Sequence, residues 1–128
     1  MRRWLWAAAG AAGTGLAVAR PFRVEVAGSS MTPTLRPGDW LVATRGGEIH
    51  RRDVVVLRHP HRGLDLVKRI TAIPGDRVDD LVLGPSEYRV EGDNPGASTD
   101  GREFGPVRRE AIEGVVRFRY WPRPGPVR

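Results

Sequence analysis

Short runs of β-branched and apolar residues, separated by Gly, Pro and Asp turns, make up most of the chain after Pro21. This pattern is typical of strands joined by tight turns. The predicted strands are Phe22–Ala27, Trp40–Thr44, Val54–Arg58, Leu64–Ile73, Val78–Leu83, Glu87–Val90 and Val115–Tyr120. Helical periodicity is weak here, although Arg108–Ile112 could form one turn. We therefore predict a mainly β, small antiparallel domain over residues 21–121, followed by a Pro/Arg-rich tail at 122–128.

The first twenty residues have a different character. Met1–Arg3 is a short basic head, and the sixteen residues of Trp4–Ala19 carry no charge. A helix of that length spans about 24 Å, less than the ~30 Å hydrocarbon core of a bilayer. We interpret residues 1–20 as a hydrophobic N-terminal helix that anchors the chain in a membrane. Ala17–Ala19 also fits the cleavage site of a removable signal peptide, which is the alternative.

The basic head favours a single-pass orientation with the β-domain outside the cytoplasm, and a cytoplasmic or soluble form is the other possibility. The net charge of +6 and the pI of about 11.1 fit an acidic partner such as anionic membrane lipid. The arginines are scattered rather than gathered in a stripe, and no aromatic stacking motif is present, so we do not expect nucleic-acid binding. The chain has no cysteine, which excludes disulfides, a thiol nucleophile and a zinc–thiolate site.

A serine lies on a stiff loop directly after the first predicted strand. Gly28 allows the backbone to bend there, and Pro33 and Pro37 restrict the conformations of the residues that follow. Ser30 stands between them. A serine hydroxyl is a weak nucleophile until a neighbouring base removes its proton. The neighbouring Ser29 is the alternative nucleophile, and either would need a base from elsewhere in the chain.

Lys68 is the candidate base. Of the 21 basic residues, 20 are arginine and only this one is lysine. Arginine stays protonated, whereas a buried lysine can become neutral and accept a proton. Two-residue alternation along its predicted strand places Lys68 on one face with Leu66 and Ile70. These neighbours would desolvate the ammonium group and lower its pKa, so that the amine could deprotonate Ser30. The alternative is a lysine that extends from the strand edge into solvent.

The histidines are weaker candidates. His59 and His61 flank a proline in a predicted turn, where we expect solvated side chains rather than a metal site. No motif brings His50, His59 or His61 to Ser30 as a Ser-His-Asp triad would require. Residues 91–94 are interpreted as a tight turn. A serine activated by a lysine needs no bound group for its activation, so we expect no cofactor and no metal.

Four ordered segments resemble the sequence blocks of the type I signal peptidase family, which are membrane-bound serine proteases with a Ser/Lys dyad. The segments are Gly28–Leu35, Arg52–Val56, Val67–Asp76 and Gly92–Arg102. The resemblance implies the β-fold that signal peptidases share with LexA-like proteins, with residues 21–121 as the catalytic domain. It also implies a substrate: a precursor protein from which a signal peptide or propeptide is removed.

The resemblance assigns a role to individual residues of these segments. It implies that Ser30 is the nucleophile and Lys68 the general base, and that Ser98 orients the lysine. Asp100 and Arg102 match a structural ion pair beneath the site.

The loop Gly28–Ser30 would form the oxyanion site through main-chain donors, because glycine stands at position 28 where some members carry a serine. Arg52 replaces a glycine of the second segment and Gly101 replaces a serine of the fourth, and both positions lie in predicted turns.

The substrate would bind as an added strand between the edges Val24–Ala27 and Leu64–Lys68. Val24, Val26 and Leu66 would line that edge, and the family's preference implies small residues at the first and third positions before the cut. Three runs resemble a small bacterial branch, the nickel-type superoxide dismutase maturation proteases. They are Val54–Pro60, Ser98–Val107 and Val116–Pro122.

Two other functions remain open. A LexA-like self-cleaving regulator shares the dyad and the fold, but it would need a DNA-binding domain and an upstream cleavage site. Ala27–Gly28 is too close to Ser30 to serve as that site. The other alternative is a catalytically inactive module that binds extended peptides.

Overall fold

The structure of the chain, a computed structural model, describes residues 20–63, 65–98 and 101–128. Nearly half of these residues lie in strands. The strands are β1 (Arg20–Glu25), β2 (Trp40–Arg45), β3 (Val54–Arg58), β4 (Asp65–Ala72), β5 (Arg77–Val78), β6 (Leu81–Val82), β7 (Glu87–Glu91), β8 (Val107–Arg108), β9 (Ile112–Trp121) and β10 (Gly125–Pro126). A short helix, α1 (Gly101–Phe104), and 3₁₀ turns at Pro95–Ala97 and Arg109–Ala111 complete the described elements.

One antiparallel sheet runs through the domain in the order β1-β2-β9-β3-β4-β7-β8, and β10 pairs with β9. The strands β5 and β6 form a separate hairpin. The long strand β9 holds the sheet together, because it pairs with β2 on one side and β3 on the other. The predicted mainly antiparallel β-fold is therefore confirmed.

Strand boundaries follow the sequence pattern closely where the apolar runs are long. The predicted strand Val54–Arg58 is observed with the same ends. The single strand predicted over Val78–Leu83 is wrong, because a turn with Asp79 at φ 54° splits it into β5 and β6. The turn predicted within Arg108–Ile112 is present as a 3₁₀ turn. The two-residue strands β8 and β10 were not predicted, since two residues are too few to show a period.

The strand β3 is buried on both faces, and so the sheet has an apolar core on each side. We call one the loop-side core; its buried residues are Val26, Met31, Leu35, Leu41, Ala43, Val54, Val56 and Val116. We call the other the lysine-side core; its buried residues are Ile49, Val55, Leu57, Ile70, Val90, Val107, Ile112 and Val115. A continuous apolar run such as Val54–Leu57 is what a strand covered on both faces requires.

The predicted membrane anchor covers residues 1–20, of which residues 1–19 lie outside the described residues and Arg20 belongs to β1. Within the part of the chain that the structure describes, we find no helix with the length and apolar character needed to cross a bilayer.

Arg52, which replaces a family glycine, adopts a left-handed backbone with φ 77° in the turn before β3. Hydrogen bonds hold both the N–H and the carbonyl of Arg52. The Arg52 N–H donates to the Ile70 carbonyl at 2.8 Å, and the Arg52 carbonyl accepts from Arg69 Nη1 at 2.8 Å. A side chain in this conformation is strained, whereas glycine is not.

We therefore expect Arg52→Gly to raise the free energy of unfolding by about 1 kcal/mol, and Arg52→Asn to raise it by less, because asparagine tolerates the left-handed region better than arginine. Urea unfolding measures the change. Arg62→Gly is the control: Arg62 is exposed and has an ordinary φ, so glycine should only destabilise there. Equal destabilisation by both glycine variants would contradict the assignment of strain to Arg52.

Candidate active site

Ser30 sits on a loop that the structure anchors firmly. Gly28 has φ +77°, so the backbone there takes the conformation that favours glycine. Two main-chain hydrogen bonds then close the turn, from Thr32 N–H to the Ser29 carbonyl at 3.2 Å and from Leu35 N–H to the Met31 carbonyl at 2.9 Å. Met31 and Leu35 are 1% and 0% exposed in the loop-side core. Ser30, between these anchors, is half-buried.

Lys68 is buried in the middle of β4. It pairs with Val55 of β3 and shares a sheet face with Leu66 and Ile70, which both belong to the lysine-side core. Its exposed fraction is only 2%, which confirms the predicted desolvation and excludes the solvent-exposed alternative. Its Nζ donates a hydrogen bond to Ser98 Oγ at 2.8 Å. A buried amine needs such a partner, because burying a polar group without a hydrogen bond is costly.

The segment 92–98, which follows β7, joins the serine loop to the lysine. The Asn94 N–H donates to the Ser30 carbonyl at 2.8 Å, and Asn94 Nδ2 donates to the Ser29 carbonyl at 3.1 Å and to Thr32 Oγ1 at 3.0 Å. At the other end of the segment, Ser98 Oγ accepts the hydrogen bond from Lys68 Nζ. The short segment 92–98 therefore connects the serine loop with Lys68, although these two are far apart in the sequence.

Gly92 shows how closely these groups approach. A Cβ built on Gly92 would lie 2.6 Å from the Ser30 carbonyl oxygen and 2.7 Å from Ser98 Cβ. The main-chain carbonyl of Ser30 and the side chain of Ser98 therefore both lie against the position that a Cβ of residue 92 would occupy, so glycine is the residue that fits there. Ser98 in turn accepts a hydrogen bond from Lys68.

Asp93 makes further contacts with the serine loop and with β4. Its carboxylate accepts two hydrogen bonds from Arg69, from Nε at 2.9 Å and from Nη2 at 2.9 Å, and one from Thr34 Oγ1 at 2.6 Å. Burial alone would raise the pKa of Asp93, but the hydrogen bonds from Arg69 and Thr34 and the Arg69 charge hold that pKa below its ordinary value. Asp93 therefore stays ionised and ties the serine loop to the residue next to Lys68.

Sequence analysis missed Asp93 and Asn94, which it placed only in a tight turn at 91–94. The Asn94 partners lie up to 65 positions away in the chain. No local pattern identifies such partners, although an Asp-Asn pair followed by Pro could have drawn attention to the loop.

The prediction of a solvated His59 is wrong. His59 is 7% exposed, and its ring packs edge-on against Phe104 of α1 at 5.0 Å between centroids. Its Nδ1 accepts the His61 N–H at 3.0 Å. Burial lowers the His59 pKa, and the charge of Arg62 lowers it further. His61 is exposed, as expected.

The remaining predicted site residues are placed as follows. Arg102 lies in α1 and its Nη1 is 3.5 Å from Glu91 Oε1, while its expected partner Asp100 is outside the described residues. Gly101, the replaced serine position, is the first residue of α1.

Val24, Val26 and Leu66 lie near two sheet edges. Val24 and Val26 pack in the loop-side core and Leu66 against the lysine-side core. In the described sheet, β1 pairs only with β2, and β4 pairs with β7 only from Arg69 onward. The outer side of β1 and the side of Asp65–Lys68 away from β3 are therefore sheet edges that an extended peptide could join.

Comparison with known proteins identifies a family. The chain matches the family described as "Signal peptidase, peptidase S26" over residues 1–82 and 79–121. It is 40% identical to the mitochondrial ATP-independent inner membrane protease subunit 1a of Arabidopsis thaliana, over 77% of this chain and 69% of that protein. It is 31% identical to signal peptidase I of Bacillus caldolyticus, over 94% and 91%, and 32% identical to the mitochondrial inner membrane protease subunit 1 of Xenopus tropicalis, over 77% and 68%.

The crowding at Gly92 makes a direct prediction. We expect Gly92→Ala to lower the free energy of unfolding by roughly 1–3 kcal/mol, because the new methyl group meets a main-chain oxygen and a short side chain that cannot move aside easily. Gly96→Ala in the same segment is the matched control, since its Cβ would meet only Asn94 Oδ1 at 3.9 Å. We expect the control to stay within about 0.5 kcal/mol of wild type in chemical unfolding. Similar values for the two variants would contradict the packing described here.

His59 makes a second prediction, on acid stability. The unfolded histidine titrates near 6.5 and the folded one at a lower pH. Between these two values the unfolded chain binds more protons, so lowering the pH below about 6.5 destabilises the fold until the folded pKa is passed.

We expect His59→Asn to remove this loss, because the Asn Oδ1 can replace Nδ1 as acceptor without titrating. The Tm, measured between pH 7.5 and 5, should therefore fall less in the variant than in wild type. His61→Asn, an exposed histidine with the same substitution, should keep most of the wild-type slope. An unchanged slope in His59→Asn would refute the assignment.

Proposed function

Because this chain belongs to the signal peptidase family, peptidase S26, we propose that it cleaves precursor proteins with Ser30 as nucleophile and Lys68 as general base. The chain is a serine-type endopeptidase, as its family is. The observation that carries the proposal is the buried lysine: Lys68 is 2% exposed and bonded to Ser98, which adjoins the Ser30 loop at Gly92.

The proposed reaction is acyl transfer in two steps. Neutral Lys68 takes the Ser30 hydroxyl proton as the serine oxygen bonds to the scissile carbonyl carbon. The tetrahedral intermediate collapses, its C–N bond breaks, and the lysine ammonium returns the proton to the leaving amine. Lys68 then removes a proton from water as the water oxygen attacks the acyl-enzyme carbonyl. The bond between that carbonyl carbon and Ser30 Oγ breaks, and the lysine ammonium returns the proton to Ser30 Oγ. Burial favours this role, because desolvation destabilises the charged form of an amine.

Ser98 is the proposed orienting residue. Its hydroxyl can accept from the lysine Nζ in either charge state, so it can hold the amine in one direction while the proton moves. The oxyanion would be bound by main-chain donors of Gly28, Ser29 and Ser30, in particular the Ser30 N–H, since glycine at position 28 offers no hydroxyl. Asp100 and Arg102 are proposed as a structural pair beneath the site.

The substrate is proposed to bind as an extended strand between β1 and the first half of β4. Two observations support this pose: both edges lack a strand partner in the described sheet, and Val24 and Val67 pack against the same loop-side core. Main-chain hydrogen bonds would then provide affinity, and Val24, Val26 and Leu66 would limit the size of alternate side chains. Small residues at the first and third positions before the cut fit such shallow pockets.

The precursor is proposed to be either a protein with an ordinary signal peptide or the proform of a nickel superoxide dismutase. The name of the Bacillus caldolyticus relative supports the first. The second rests on the runs Val54–Pro60, Ser98–Val107 and Val116–Pro122, which resemble the dismutase-processing branch.

The proposed location is a membrane, with residues 1–20 as the anchor and the β-domain outside the cytoplasm. Two relatives are named as inner membrane proteases, and residues 4–19 carry no charge. Anionic lipid would suit the net charge of +6.

The deciding experiment incubates the full chain in detergent with two purified precursors, one with an Ala-x-Ala signal peptide and one a nickel superoxide dismutase proform. We expect wild type to cut at least one, and Ser30→Ala and Lys68→Arg to lose about 1,000-fold or more in rate. Arginine keeps the charge but cannot accept the proton. Mass spectrometry of the products gives the cleavage position.

Ser86→Ala, a serine between β6 and β7, should retain wild-type activity and controls for loss of a hydroxyl. If Lys68→Arg cuts as fast as wild type, Lys68 is not the base. The precursor that wild type cuts faster identifies the subtype. If wild type cuts neither precursor, the proposed substrate class is wrong.

A further inference from the structure

The C-terminal arm, residues 122–128, is folded against the loop that carries Ser30. Gly125–Pro126 forms β10 and pairs with Arg119 and Phe118 of β9. Val127 is half-buried and packs against the loop-side core, whose members Met31 and Leu35 anchor the serine loop. The arm therefore contributes to the packing beneath Ser30.

One arginine of β9 connects the arm with the loop. Arg119 Nε donates to the Arg123 carbonyl at 2.6 Å, and Arg119 Nη1 donates to the Thr34 carbonyl at 3.2 Å. The same Nη1 lies 3.5 Å from Asp39 Oδ2, a carboxylate that is 3% exposed. A rigid guanidinium that binds several fixed acceptors transmits the position of one to the others.

The far end of the arm reaches the network next to the lysine. The main-chain oxygen of Arg128 accepts a hydrogen bond from Arg69 Nη2 at 2.8 Å. That Nη2 also donates to Asp93, which holds Thr34 of the serine loop. Burial and paired charge make the Arg69–Asp93 contact well defined, since the two side chains are only 17% and 18% exposed.

We propose that the C-terminal arm is a positioning element for the reaction: it holds the Ser30 loop and the Arg69–Asp93 pair in register with Lys68. The inference rests on the proposed Ser/Lys function. The arm and segment 92–98 hold the same loop from different elements. Without the arm, the loop keeps the 92–98 contacts, but the loop-side core that anchors it loses the packing of Val127. A displacement of about 1 Å at a reacting group can cost about 100-fold in rate.

The test changes Val127 in the full chain and compares it with a matched site. We expect Val127→Asp to lower kcat by about 10- to 100-fold with KM changed less than about threefold, because the substrate edges are intact while the nucleophile is displaced. Val82→Asp is the control: Val82 is 56% exposed on the β5–β6 hairpin, so the same substitution there should leave both constants unchanged. The conservative variant Val127→Ile, which keeps an apolar side chain at this position, should retain most of the wild-type rate.

Hydrogen exchange provides a readout that does not depend on cleavage. In Val127→Asp we expect faster exchange for residues 29–35 and wild-type exchange for β3 and β4. If this variant unfolds, as judged by circular dichroism, Val127→Ala takes its place with a smaller change in the same direction. Wild-type kcat and wild-type exchange of 29–35 in folded Val127 variants would overturn the inference. If wild type cuts neither precursor, the proposed function fails and the exchange of 29–35 alone decides the role of the arm.

Discussion

The burial of Lys68 is the constraint on which the site depends. An amine that is 2% exposed must have its hydrogen-bonding capacity met within the protein, and Ser98 Oγ at 2.8 Å meets part of it. The apolar face of β3 and β4 supplies the desolvation, and the loop after β7 supplies the hydroxyl. The site needs both the apolar face and the hydroxyl. In an apolar pocket without a hydrogen-bond partner a buried amine would be destabilised, and an exposed lysine would remain charged.

The second dependence runs through Gly92, Asp93 and Asn94. Gly92 fits against the Ser30 carbonyl, and Asp93 binds Arg69 beside the lysine. Asn94 holds the main chain of the serine loop through its N–H. The contacts of these three residues connect segments some 60 positions apart, so the serine loop and the strand that carries the lysine are joined only when β7 has paired with β4. The site therefore depends on the pairing of β7 with β4 in the sheet.

The use of arginine and lysine follows from their chemistry. Arg69 and Arg119 each bind several fixed acceptors through a planar, permanently charged group. A lysine in either place would satisfy fewer of them. In the proposed mechanism the requirement at position 68 is reversed, because a general base must be able to lose its charge.

Local patterns in the sequence were sufficient to predict the strands with long apolar runs, the antiparallel β-class and the face on which Lys68 is buried. These features depend on the two-residue period of a strand, which is a local property of the chain. The resemblance to a family added Ser98 as a neighbour of the lysine. It did not indicate how Asp93 and Asn94 hold the serine loop.

Three features became visible only in the three-dimensional structure. His59 is buried against Phe104, Asp93 and Asn94 hold the serine loop, and the Pro/Arg-rich tail packs as an arm on the loop-side core. Each of these depends on a contact between segments remote in sequence. The composition of a short polar turn or a Pro-rich tail is the same whether or not such a partner is present, so the pattern of the chain could not distinguish the two cases.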